Sequence, residues 1–221
     1  MSALDQGYVL IDEFVLPKQV RSVYEEINAI DLPANAAGIR NADKKFGSIR
    51  ELALSQILIG KAQEFLPGKP SLVRAILFNK TTENNWLVTW HQDKTVAVTD
   101  RFEEEEWGPW SIKDGVHHVQ PPIAVLEQMV TFRIHLDDTD ENNGCLKVLP
   151  VSHSNGVISQ SDINKMVQSE EPVICVAKAR SALVMRPHIL HASSKATEPS
   201  QRRVLHLEYS SFTLPNGIHW A

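Results

Sequence analysis

Residues 129–136, MVTFRIHL, constrain the fold more than any other stretch of the chain. Polar and apolar side chains alternate through them. Thr131, Arg133 and His135 fall on one face, and Phe132, Ile134 and Leu136 on the other. A period of two is the signature of a β-strand with two different faces. A dry core would leave an arginine and a histidine unpaired at considerable cost. The polar face therefore reads as the lining of a wet cavity inside a β structure.

The flanking sequence supplies the rest of such a structure. Strands are predicted at 7–15, 71–79, 86–91, 95–98, 145–149, 172–177, 182–185, 190–193 and 202–211, from their β-branched and aromatic runs and the turn residues between them. Two helices are predicted early. One starts at Pro17 and runs to residue 30. The other spans 48–65, with Ser48 and Glu51 spaced as a capping box. A short helical turn is expected at 123–128 and a further helix at 158–168. Residues 31–45 read as a loop near a site entrance. The stretch 100–122 is longer than ordinary connections. It carries Glu103 to Glu106, Trp107, Trp110 and the adjacent His117 and His118, and it reads as a lid. Early helices followed by many short strands predict a mainly β fold with flanking α-helices, a jelly roll or barrel with helices packed outside.

With 221 residues the chain is expected to form one domain, 1–221, able to bury a core without staples. A net charge of -5 gives no footprint for nucleic acid. Two cysteines without paired spacing exclude a disulfide scaffold and a zinc ribbon. The first residues lack the pattern of a signal peptide, and no apolar run approaches membrane-spanning length. The expected location is the cytoplasm, and no membrane partner is expected.

Chemistry concentrates in a His-x-Asp pattern, which puts two metal ligands on the same side of a strand end. Two such pairs occur, His91-Gln92-Asp93 and His135-Leu136-Asp137. A 2-His-1-carboxylate triad leaves open positions on Fe(II) for a co-substrate and O2. The third ligand must come from a distant strand, and His191 is the candidate. Eleven residues on, Arg202 opens a strand, and its guanidinium suits a carboxylate. Arg203 points the other way, so one arginine should reach the cavity and the other solvent.

The order His91-Gln92-Asp93, then Asn143-Gly144-Cys145-Leu146-Lys147-Val148-Leu149-Pro150-x-Ser152-His153, then His191-x-Ser193, then Arg202 resembles the phytanoyl-CoA dioxygenase family. Its members are iron- and 2-oxoglutarate-dependent oxygenases with a double-stranded β-helix (cupin-like jelly roll). In the family pattern the metal pair precedes the Asn-Gly strand by several tens of residues, which selects His91 over His135. The resemblance implies His91, Asp93 and His191 as iron ligands. It implies Arg202 as the anchor of the far carboxylate of 2-oxoglutarate, with Ser193 and Gln92 assisting. Thr131 is expected beside the co-substrate. Arg133, His135, Trp107 and Trp110 are expected to contact a small-molecule substrate. One departure is Val151, where the family usually has glycine. Asp93 occupies the carboxylate position that related halogenases leave empty, so hydroxylation or desaturation is favoured. No basic patch for a coenzyme A phosphate is evident. The competing readings are a non-catalytic cupin-like binding protein and an iron cupin oxygenase that does not use 2-oxoglutarate.

Overall fold

The alternating stretch forms the third strand of a six-stranded sheet in the computed structural model, which describes residues 4–30, 38–198, 201–215 and 217–221. The N-terminal half contains β1 (Tyr8–Ile11), α1 (Pro17–Asn28), β2 (Gly38–Arg40), α2 (Ala42–Lys45), α3 (Gly47–Ala53) and α4 (Gln56–Phe65). Next come β3 (Ser71–Lys80), β4 (Val88–His91), β5 (Val96–Val98), β6 (Trp110–Lys113), β7 (Val116–Val119) and α5 (Ile123–Leu126). The chain continues through β8 (Met129–His135), β9 (Leu146–Val148), α6 (Gln160–Ser169), β10 (Val173–Cys175), β11 (Ala182–Met185), β12 (His191–Ser193) and β13 (Arg202–Ser210). No helix among the described residues is long and apolar enough to cross a membrane.

The major sheet has the order β1-β11-β8-β13-β3-β2 and the minor sheet β10-β9-β12-β4. All their pairings are antiparallel. The two face each other as a jelly roll. The period of two decides what each face does. Val130, Phe132 and Ile134 of β8, with Leu205, Leu207 and Tyr209 of β13, point outward and bury against α1, α3 and α4. Phe132 sits at the centre of that layer, stacked on Phe14 and edge-on to Tyr209. Burial of one such side chain contributes roughly 1.5–3 kcal/mol. The alternate residues of the same strands turn inward, towards the minor sheet, and furnish the site.

Four expectations change in detail. The helix predicted over 48–65 breaks into α3 and α4, because Ser55 caps the second piece by accepting from the Leu58 amide. The Ser48–Glu51 capping box does not form. Glu26 at the end of α1 instead accepts from the amides of Gly47 and Ser48 and ties α3 to α1. The stretch 100–122 is not a structureless lid. Its second half is the hairpin β6–β7, which adds to β5 to form a separate three-stranded sheet. Of the loop expected over 31–45, residues 31–37 lie outside the described residues, while 38–45 form β2 and α2.

Candidate metal centre

The inner faces of the two sheets enclose a cavity of about 560 Å³. At one end the minor sheet presents two histidines. His91, at the end of β4, lies directly opposite His191 of β12. Asp93 follows two residues past His91, where its amide donates to the Pro187 carbonyl and fixes the chain beyond the strand. His91 Nε2 lies 3.7 Å from Asp93 Oδ1, and His191 Nε2 lies 3.5 Å from Asp93 Oδ2. Ligand atoms of all three residues fall within 4.8 Å of one another.

The ring tautomers are set by the backbone. His91 Nδ1 lies 2.8 Å from the Thr89 carbonyl and His191 Nδ1 lies 2.8 Å from the Ile189 carbonyl. A carbonyl only accepts, so each Nδ1 carries the proton, and each Nε2 offers its lone pair to the shared point. This is the outer hydrogen bonding that orients metal-bound imidazoles. Burial also pushes the His191 imidazolium down, to about 4, with Asp93 opposing, so the ring stands neutral and ready to ligate. The donor set fits an Fe(II) facial triad.

Arg202 opens β13 in the wall of the same cavity. Its Nη1 donates to the Gly144 carbonyl at 2.8 Å, and the Ser193 hydroxyl donates to that carbonyl as well, also at 2.8 Å. Gly144 has a φ of +75°, and a Cβ there would stand 2.4 Å from the Ser194 carbonyl oxygen, so only glycine lets this corner form. Arg202 Nε is buried without a partner among the described residues. Burial, then the charge of Arg133, lowers the guanidinium to about 10. A buried cation with an unused donor is the complement of a carboxylate. Arg203, expected in solvent, instead forks onto Asp137 at 2.9 Å and lies over the Tyr24 ring.

The other expected residues divide. Arg133 lines the cavity; Thr131 and His135, on the same face of β8, do not. Thr131 is fully buried in the middle of the sheet, and His135 is shut in with its Nδ1 towards the Ser181 carbonyl. Gln92 points away from the cavity. Its amide donates to the His188 and Gly156 carbonyls and accepts from the Ile158 amide, so it holds the loops behind the site. Trp107 and Trp110 pack edge-on against Phe102 in a satellite core with Leu214, Ile218 and Trp220.

Sequence reasoning missed the residues further along the strand face of Arg202. His206 Nδ1 lies 3.1 Å from Arg133 Nη1 and its Nε2 lies 2.9 Å from Glu208 Oε1. Arginine only donates, so His206 accepts at Nδ1 and donates from Nε2. Glu208 is in turn held by both Arg74 Nε and Nη2. In this wiring the lone pairs of a second cluster of possible ligands, Asp93, His206 and Glu208, are engaged by neighbouring hydrogen bonds at His206 and Glu208. The signal was available. His206 and Glu208 share the strand face of Arg202 at steps of two.

Fold and site together define a jelly-roll oxygenase of the 2-His-1-carboxylate kind. The sequence model of phytanoyl-CoA dioxygenase matches residues 4–204, and the chain belongs to that family of iron- and 2-oxoglutarate-dependent oxygenases. A search of curated protein sequences returned no match. Solved structures share the fold at low identity. AviO1 from Streptomyces viridochromogenes Tue57 superposes with a TM-score of 0.71 at 17% identity, covering 97% of this chain and 94% of that one. HygX from Streptomyces hygroscopicus, solved with nickel, 2-oxoglutarate and hygromycin B, gives 0.68 at 15%, covering 96% and 86%. EctD from S. alaskensis, solved with 2-oxoglutarate and 5-hydroxyectoine, gives 0.72 at 16%, covering 95% and 74%.

Proposed function

We propose that this protein hydroxylates a small organic molecule, using O2 and converting 2-oxoglutarate to succinate and CO2, and that its 221 residues work as one cytoplasmic domain. His91, Asp93 and His191 hold Fe(II). Arg202 binds the far carboxylate of 2-oxoglutarate, with Ser193 fixing the Gly144 carbonyl that orients it. The observation that carries this reading is the pairing, in one cavity, of three convergent ligand atoms with a buried guanidinium whose Nε has no partner among the described residues.

Bound Fe(II) and 2-oxoglutarate supply the oxidative decarboxylation and the C–H oxidation; the chain supplies position and shielding. His91 and His191 turn their Nε2 atoms to the shared point because backbone carbonyls hold their Nδ1 protons. Arg202 orients the co-substrate by a charge-assisted fork. The Arg133–His206–Glu208–Arg74 chain keeps the wall beside Asp93 rigid. The same fold serves an epimerase, SnoN, and a carbocyclase, SnoK, so fold alone does not choose the outcome. An intact carboxylate at Asp93 supports hydroxylation over halogenation.

Anaerobic addition of Fe(II) and 2-oxoglutarate should produce a weak visible charge-transfer band, and a panel of small molecules should include one that couples 2-oxoglutarate loss to succinate. Absence of the band together with no succinate from any compound defeats the reading.

A further inference from the structure

The cavity is cationic although the protein is not. Against a net charge of -5, the lining contains Arg40, Arg74, Lys113, Arg133 and Arg202, with Asp93 the single carboxylate among the described residues. Several of these charges are already answered. Glu208 neutralises Arg74 through two hydrogen bonds. Arg202 is reserved for 2-oxoglutarate, and Asp93 for the metal. Arg40 touches Asp114 only at 3.8 Å, in an exposed pair of little strength. Lys113 has neither a hydrogen bond nor an ion pair among the described residues. Among the described residues Arg133 has no carboxylate within ion-pair distance, its Nε is buried without an acceptor, and its Nη1 lies 3.1 Å from His206 Nδ1.

The topology gathers these groups at one side. β2 is the edge of the major sheet and carries Arg40; β6 is the edge of the three-stranded sheet and ends on Lys113. β3 sends Arg74 inward between them. Their mutual repulsion is felt. Lys113 is exposed, and partial desolvation, then Arg74 and Arg40, still push its ammonium below its ordinary value against the opposing pull of Asp93. Like charges held together without a counter-charge are stabilised by a bound anion. The same lining also carries the apolar side chains of Ile76, Phe78 and Val88. We infer that the substrate is an organic anion whose carboxylate or phosphate docks on Lys113 and Arg40, above Arg74, while its apolar body lies along Ile76 and Phe78 towards the metal ligands. This deepens the oxygenase reading and rests on it for the word substrate. The acidic run Glu103 to Glu106 does not line the cavity and does not oppose the charge there.

The test is calorimetric and needs no turnover. Benzoate, phenyl phosphate and neutral benzyl alcohol are titrated into the full chain, held anaerobic with Fe(II) and saturating 2-oxoglutarate, and again with neither. The expected result is that at least one anion binds about tenfold more tightly than the alcohol. Lys113→Glu should weaken that anion by about tenfold while leaving 2-oxoglutarate affinity within about twofold. Lys113→Ala should fall between. Tighter phenyl phosphate assigns a phosphate, tighter benzoate a carboxylate. Anions no better than the alcohol, or an affinity indifferent to Lys113→Glu, overturn the proposal. A chain that takes the anion but not 2-oxoglutarate keeps the anion site and defeats the oxygenase reading instead. Circular dichroism of both variants establishes that the exposed hairpin still folds.

Discussion

His91 and His191 stand opposite each other across the β4–β12 pairing, their rings tilted by 53° with centroids 4.2 Å apart, although a hundred residues separate them in the chain. The register of two short strands therefore does what sequence proximity cannot, and it makes the metal site a test of the fold. His191→Ala removes one of three ligands and should weaken iron binding by more than about 100-fold, beyond the usual loss from disturbing an outer partner. His135→Ala, in the rival His-x-Asp pair, should leave iron stoichiometry intact. Metal content after anaerobic loading and gel filtration reads both. Iron lost only from the His135 variant would show that the wrong pair has been chosen.

Arg202 and Arg203 are sequence neighbours with opposite tasks. Arg202→Ala should raise the 2-oxoglutarate dissociation constant by about 100-fold, the scale of losing a buried charge-assisted contact, with Arg202→Lys recovering part of it. Arg203→Ala should leave that constant nearly unchanged. It breaks the fork to Asp137 and the stack on Tyr24, and so should cost about 1–2 kcal/mol of stability. Equilibrium dialysis and urea denaturation separate the two outcomes. An Arg203 variant that loses co-substrate would reverse the assignment.

Much of this was legible beforehand, for physical reasons. Strand β8 announced itself because a period of two is imposed by the backbone, and the inward arginine followed from it. The triad was legible only through the order of later motifs, since His135-Leu136-Asp137 has the same local form. Asp137 is used instead to hold Arg203. Gln92 was misread because its neighbours are ligands. Adjacent residues on an extended chain face opposite ways, and Gln92 turns to the loops. Lys113 and Arg40 were invisible, because nothing local records that two sheet edges meet at one cavity.

Val151 departs from the glycine usual in the family and adopts a φ of +64°, the left-handed region. A β-branched residue is strained there by roughly 1–2 kcal/mol. Nearly half of its surface is exposed, so little packing is lost on its removal. Glycine adds unfolded-state entropy worth about 0.5–1 kcal/mol, which leaves a net gain of about 0–1.5 kcal/mol. Val151→Gly should therefore raise the melting temperature by about 1–4 °C. A lower melting temperature would mean that the turn is not strained by its side chain.

His135 sets a pH dependence of stability. Burial, reinforced by the charge of Arg133, pushes its imidazolium down to about 3 in the folded chain. The unfolded chain protonates near the ordinary value of about 6.5. Between these values the unfolded state binds a proton that the folded state refuses. The contribution is thus fully present above about 6.5 and is lost as the pH falls through that window. At pH 5 the loss relative to neutral pH should be about 2 kcal/mol. His135→Gln keeps a polar group but cannot titrate. Its own unfolding free energy should therefore fall less between pH 7 and pH 5 than that of the wild type, by about that amount. His188, which burial lowers to about 4, retains its slope in both proteins and cancels in the comparison. Urea melts at the two pH values measure the difference. Equal losses in wild type and variant would show that His135 takes up its proton in the folded state as readily as in the unfolded chain.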